Sequence, residues 1–389
     1  MVTILLFIVI LGVLVVVHEW GHYYSAKKFG IKVHEFGFGY PPRAFGWYRD
    51  PKTKKIVWIW GKGKSSLKET VSGNEQNSEF PGMLWSINWL PLGGFVRIKG
   101  ENGERAKEAD SFGYHKAWKR ITVLAAGVIM NFILAAVVLG FGFMIGLPTD
   151  LSEGIDKHAQ IVEAPSVIVE SVEEGLPADV AGMVFGDKIT SVDGVLVAGA
   201  NDLIEYIKTH GDNEVTVRIM RGQEELDIKL TPTVTDGESA PRLGISIAEA
   251  GIIRYPWYIA IYKGFAAAGI GLITIFVSFY YLIGSLVTGQ GLMFDIAGPV
   301  GIAQIVGQSA KLGFHYVLNV VAMLSLSLAA INILPIPALD GGRILFIIIE
   351  KIIGRPVSMK YEQLAHTIGF LLLMALVVVV TWRDIAKLF

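Results

Sequence analysis

No charged side chain occurs between Ile121 and Leu147, and none among residues 1–17. Runs of this kind decide more about the chain than any other feature. About 20 apolar residues in a helix cross a bilayer. Inside it the backbone must satisfy its own hydrogen bonds. The other long apolar runs are Val2–Tyr24, Trp257–Leu286, Phe314–Ile336 and Ile368–Trp382. Composition agrees. Only 18% of residues are charged, against about 25% in soluble domains. The 52% hydrophobic content excludes disorder. Lys and Arg number 34 against 35 Asp and Glu, so there is no basic excess for nucleic acid. The chain has no cysteine, so any metal must be held by His, Asp or Glu.

The charges are segregated. Residues 23–120 hold 18 Lys and Arg and 9 Asp and Glu; residues 148–255 hold 8 and 20. Lys and Arg near span ends mark the cytoplasmic side. Lys27, Lys28, Lys116, Lys119 and Arg120 therefore place 23–120 inside and the acidic block outside. The first run lacks a basic leader and a small-residue cleavage site, and reads as a retained span.

That first span ends His18-Glu19-Trp20-Gly21-His22. On a helix His18 and His22 lie one turn apart on one face, able to reach one ion, with Glu19 beside them to hold its water. Burying two imidazoles and a carboxylate against an uncharged run is costly, and such groups mark function. A zinc site needs a third protein ligand. The best candidate is Asp340, the only acid between Asp295 and Glu350. It follows Pro335 and Pro337, which break a helix and leave backbone groups that need partners in protein or a wet cavity.

His18-Glu19-Trp20-Gly21-His22 and Asn332-Ile333-Leu334-Pro335-Ile336-Pro337-Ala338-Leu339-Asp340-Gly341-Gly342 together resemble the site-2 proteases. Further matches are Gly37-Phe38-Gly39, Pro91-Leu92-Gly93-Gly94, Ala125-Ala126-Gly127 with Asn131, and Gly298-Pro299-Val300-Gly301. The arrangement is similar to bacterial regulators of sigma-factor proteases with a single PDZ domain. The resemblance implies an intramembrane zinc endopeptidase with Zn²⁺ on His18, His22 and Asp340 and Glu19 as general base. It implies substrate-positioning roles for Asn332 and Asn131. It also implies single-span substrates already trimmed outside, such as anti-sigma factors or remnant signal peptides. Two other classes remain for comparison: a membrane zinc transporter, and a catalytically silent PDZ-bearing binding protein.

Residues 31–60 and 83–98 alternate like strands. The resemblance makes them a membrane-reentrant hairpin, in which Gly37 and Gly39 would let a substrate strand approach closely. Residues 161–235 read as a small mixed domain that resembles a circularly permuted PDZ domain. Leu243, Gly244 and Ile245 would then form its carboxylate-binding loop, for a peptide C-terminus. Parity decides the number of spans. His22 and Asp340 must meet at one depth, so both spans run the same way, and 257–286 is expected as an interfacial or reentrant helix pair.

The expected fold is a polytopic α-helical membrane protein with four transmembrane helices, a reentrant β-hairpin and one extracytoplasmic α+β PDZ domain. Its parts are 1–26, the first span; 27–116, the cytoplasmic loop with the hairpin; and 117–148, the second span. PDZ domain 160–248 follows, then 249–312, interfacial or reentrant. The third span, 313–349, is broken at the Leu-Asp-Gly-Gly motif, and 362–383 is the fourth. Such a protein sits in the bacterial cytoplasmic membrane with both termini outside, its partners being the bilayer and its substrates.

Overall fold

Every apolar run is helical in the computed structural model. The structure describes residues 2–61, 80–103, 105–151, 156–173, 175–197, 199–211, 213–222, 224–234, 240–289 and 297–386. The expected polar loop tip beyond Gly61 lies outside these residues. In chain order the elements begin with α1 (Val2–Lys28), β1 (Val33–Arg49), β2 (Ile56–Trp60), β3 (Leu84–Ile98), α2 (Ala117–Ile145) and β4 (Leu147–Asp150). Next come β5 (Gln160–Val172), α3 (Pro177–Val180), β6 (Lys188–Val192), β7 (Val195–Leu196), α4 (Ala200–His210), β8 (Val215–Arg221), β9 (Glu224–Leu230) and β10 (Ile245–Arg254). The chain closes with α5 (Trp257–Thr288), α6 (Pro299–Leu312), α7 (Phe314–Ile333), α8 (Asp340–Ile353) and α9 (Met359–Ala386).

Among the described residues five helices are long and apolar enough to cross a membrane: α1, α2, Trp257–Ser285 within α5, α7 and α9. One expectation needs correction. Residues 257–286 are not a helix pair but part of one continuous helix of 32 residues. No proline interrupts it. Its apolar residues have no polar segment at which to turn.

The chain forms two compact units, Met1–Ala136 with Ala267–Gln304 and Val321–Phe389, and Val137–Ala266 with Ile305–Val320. In the first, β1 and β3 are long and bent. Phe36 pairs with Val96 on one side and Trp85 on the other, and Trp85 also pairs with Trp47. Trp47 in turn pairs with Trp58 of β2. The antiparallel arms therefore lie in the order 94–98, 33–38, 84–88, 43–49, 56–60. Gly39 and Gly93, both at positive φ, supply the bends. Aromatic rings lock the register across the arms: Phe36 stacks on Trp85 at 5.2 Å, and Trp47 lies 5.5 Å from Trp58. Glu35 is 2% exposed and accepts hydrogen bonds from Ser86 Oγ (2.6 Å) and Arg43 Nη2 (3.3 Å), so the buried carboxylate is compensated. Ala26, Val33, Ile98, Phe112, Val123 and Ile347 form a core joining α1, the sheet, α2 and α8.

The second unit is built on a sheet of order β4-β10-β5-β6-β8-β9, with β7 beside β6. Val167, Val169, Ile189, Val192, Leu203, Ile207, Val217 and Ile219 form its core. Alternation along β8 buries Val215, Val217 and Ile219 in turn. Asp187 is fully buried and takes Arg221 Nε and Nη2 at 2.7 Å each, fixing the turn into β6. In this sheet β5 begins at Gln160, and β10 runs past residue 248 to Arg254. Helix α4 starts at Ala200, whose N–H donates to Glu249 Oε1 at 2.6 Å.

Candidate metal centre

The last turns of α1 carry His18, Glu19 and His22, and α2 runs antiparallel against them. Close packing here depends on glycine. A Cβ at Gly21 would strike the Ala126 carbonyl, and one at Gly127 would lie 2.5 Å from His22 Nε2 and 2.7 Å from His18 Cε1. His22 Nδ1–H donates to the Val123 carbonyl at 2.8 Å. That bond fixes the tautomer and leaves the Nε2 lone pair pointing inward. Asn131, fully buried, has its amide 3.4 Å from His18 Nδ1, and its Oδ1 has no partner. The amide rotamer with Oδ1 toward the ring accepts Nδ1–H of His18 and satisfies both groups. Both imidazoles then present bare Nε2 atoms.

Asp340 starts α8. The segment before it folds back on the first turn of that helix, and the motif glycines permit this. A Cβ at Gly341 would strike the carbonyls of Ile333 and Leu334, and one at Gly342 that of Ile336. Asp340 Oδ2 therefore sits 3.1 Å from His18 Nε2 and 3.3 Å from His22 Nε2, and the two Nε2 atoms are 3.2 Å apart. Among the described residues these three form a cluster able to hold a metal ion. Asp340 Oδ2 has no hydrogen-bond partner. Three lone-pair atoms facing one another at this spacing repel unless a cation lies between them. Zinc bonded to His and carboxylate at about 2.0–2.2 Å in a tetrahedron separates its ligand atoms by about 3.3 Å. The donor set fits zinc.

The cluster lies in a cavity of about 540 Å³ whose wall includes Val15, Glu19, Tyr40, Asn332 and Met374. Arm 93–98 of β3 forms another wall. Gly94 brings it against α1, where an added Cβ would lie 3.7 Å from Glu19 Cγ. The Val96 backbone hydrogen-bonds the Glu19 carboxylate.

Comparison with known proteins gives the family. Residues 6–61 and 76–376 match Peptidase family M50. The chain belongs to peptidase family M50. The zinc metalloprotease RasP of Shouchella clausii is 33% identical to this protease, over 100% of this chain and 99% of its own. The regulator of sigma-W protease RasP of Bacillus subtilis is 29% identical over the same shares. A PDZ domain of an SdrC-like protein of Listeria monocytogenes is 25% identical, covering 23% of this chain and 92% of its own, with a TM-score of 0.21. The M50 protease is thus a zinc metalloprotease of the site-2 type and a multi-pass membrane protein of the bacterial inner membrane.

Of the residues expected at the site, His18, Glu19, His22, Asp340, Asn131 and Asn332 converge on one cavity. Gly37 and Gly39 do not serve as expected. Residues 35–38 are paired on both edges by β3, which leaves no edge for another strand. A Cβ at Gly37 would meet the Phe95 ring, and one at Gly39 the Leu90 carbonyl. Their small size serves the sheet itself. Leu243 and Gly244 lead into β10, which begins at Ile245, in the other unit. There the Leu243 and Gly244 carbonyls accept the N–H groups of Ala178 (2.9 Å) and Glu173 (2.8 Å). The sequence reading missed Tyr40, Glu101 and Arg343, which also line the cavity. Arg343 pairs with Glu101. The Asp340-Gly-Gly-Arg run was the available signal, a charge three residues after the carboxylate.

Proposed function

We propose that the protease holds Zn²⁺ on His18, His22 and Asp340 and cleaves transmembrane segments of pre-trimmed single-span proteins, with Glu19 as general base. The observation that carries this reading is the triangle of His18 Nε2, His22 Nε2 and Asp340 Oδ2, 3.1–3.3 Å on each side, beside a carboxylate in one cavity. Held by these three residues, Zn²⁺ would supply Lewis-acid polarisation to the scissile carbonyl and to the attacking water. Glu19 accepts the proton of the attacking water and delivers it to the leaving amine. The Val96 backbone and the packing of Gly94 orient that carboxylate.

A helical peptide bond is shielded, so the substrate must unwind and its freed backbone groups need partners. The outer edge of arm 93–98 bears no strand among the described residues and faces the cavity. Strand addition there would satisfy those groups and set the scissile bond beside Glu19. Asn332 and Asn131 stand on the opposite side to position it.

Four crossings suit the course of the helices. His18 and His22 meet Asn131 and Val123, so α2 opposes α1. Ser325 donates to the Asn131 carbonyl at 2.8 Å while Asp340 reaches His22, so α7 and α8 follow the direction of α1. A single full crossing by α5 would break that parity. The acidic unit reads as a PDZ domain outside the membrane, with Leu243, Gly244 and Ile245 offering backbone N–H groups to a peptide C-terminus, and both chain termini outside. Substrates of this kind include membrane anti-sigma factors and remnant signal peptides.

The test is zinc content by elemental analysis together with cleavage of a reconstituted single-span substrate. Wild type should bind one zinc and cleave. Glu19→Gln should keep zinc and lose about 10³-fold in rate. Asp340→Asn should lose both together, because a neutral amide is a poor ligand. Full zinc and activity in Asp340→Asn would remove Asp340 from the metal.

A further inference from the structure

The segment between α7 and α8 is irregular backbone next to the metal cluster, where each N–H needs a partner in the protein or in a wet cavity. Its donors can be counted. Pro335 and Pro337 have none. Leu334 N–H donates to the Ile331 carbonyl at 3.1 Å, Ile336 to Leu334 at 2.7 Å, and Leu339 to Ile336 at 3.2 Å. That leaves Ala338, whose N–H donates to Nδ1 of His366 on α9 at 2.7 Å. Ala338 has φ +83°, a conformation that a residue with a Cβ adopts only when its surroundings impose it. The same helix grips the segment one turn later. A Cβ at Gly369 would strike the Pro337 carbonyl. The sequence alone suggests a membrane-surface location for His366, near a span end. Instead it meets the chain two residues before Asp340.

We propose that His366 is a positioning residue for the metal centre: its Nδ1 lone pair holds Ala338 in the left-handed conformation and so sets the carboxylate of Asp340 against His18 and His22. This rests on the reading of Asp340 as a zinc ligand. The chemistry demands one feature of the side chain, an acceptor at the position of Nδ1. An asparagine Oδ1 falls at that position; a glutamine Oε1 falls near Nε2, one bond too far. Leucine provides no acceptor and leaves the Ala338 N–H without its partner on α9.

The test compares full-length His366→Asn, His366→Gln and His366→Leu, with Asp340→Asn as control. The readouts are the half-time of zinc loss to a chelator and the cleavage kinetics of a single-span substrate. Loss of an outer partner of a metal ligand costs about 10–100-fold in metal affinity or activity. His366→Leu and His366→Gln should lose zinc about tenfold or more faster than wild type, with kcat reduced in step and KM within about twofold. His366→Asn should stay near wild type in both. Wild-type zinc retention in His366→Leu, while Asp340→Asn releases its metal, would overturn the positioning role and spare the ligand assignment. Retention in Asp340→Asn itself would instead sink that assignment. If His366→Leu does not fold, the Asn and Gln pair still decides, because equal behaviour of the two overturns the proposal.

Discussion

At the scale of single residues, the site is shaped by what is absent as much as by what is present. Gly127 lies against both imidazoles, and any Cβ there meets His22 Nε2 at 2.5 Å. Gly127→Ala should therefore displace the ligand rings while leaving every ligand in the chain. Zinc content of the purified variant should fall well below one per molecule, and cleavage should fall with it. An unchanged zinc content would mean that α1 and α2 can separate by a few tenths of an ångström at no cost. Asn131 illustrates a different limit. Its place in an apolar span signals function, but only the neighbouring His18 shows that it can orient a ring as well as face substrate space.

At the scale of elements, the sheet of β1, β2 and β3 yields two predictions. The chain has no cysteine, so single cysteines can be introduced cleanly. A cysteine at Val96 should cross-link to a substrate span at alternating positions, as an added strand requires. One at Gly37, inside a doubly paired arm, should give no ordered pattern. Scattered cross-links at Val96 would refute strand addition on β3. The second prediction concerns the foot of the sheet. Lys99 Nζ donates to Asp110 Oδ1 at 2.6 Å and also to Glu108, while the Lys99 backbone bonds Lys32 and Phe112. The hydrogen bond from Lys99 holds the Asp110 carboxyl below its usual range. Burial alone would depress the Lys99 ammonium, but its bonds to Asp110 and Glu108 outweigh this and raise it. The Asp110 contribution is present above about pH 4 and is lost as pH falls through its lowered value. The Lys99 contribution is present below about pH 10 and is lost as pH rises through its raised value. Protection of the β1–β3 amides, taken as the exchange rate relative to the intrinsic rate at each pH, should be greatest between those limits, and Lys99→Met should abolish both shoulders.

At the scale of the whole molecule, the proposed orientation rests on charge segregation and the proposed number of crossings on helix direction. Cysteines at Lys52 and Leu196 test both. Lys52 is exposed, and Leu196 is 80% exposed. Ser191, in the same unit as Leu196, is buried in β6 and would label poorly from either side. A membrane-impermeant thiol reagent added outside intact cells should label position 196 and spare position 52. Labelling of both from one side would overturn the charge argument.

The sequence by itself determined the membrane class, the apolar runs and the zinc metalloprotease class. Hydropathy is a sum over neighbours in the chain, and the one-turn spacing of His18 and His22 is a local property of a helix. Both survive without knowledge of the fold. Asp340 was legible because a lone carboxylate after two prolines is conspicuous in an apolar run. The tertiary structure decided which strand edge remains free. Gly37 and Gly39 looked available in sequence, but bent strands pair twice, and edge occupancy depends on partners some 50 residues away. It also decided the role of His366. A histidine near a span end has no periodic partner, and its hydrogen bond to Ala338 joins residues 28 apart across two helices. Continuity of α5 was likewise undecided, since its apolar run satisfies a reentrant pair as well as one long helix. What local pattern encodes can be read along the chain; what depends on which surfaces meet requires the folded molecule.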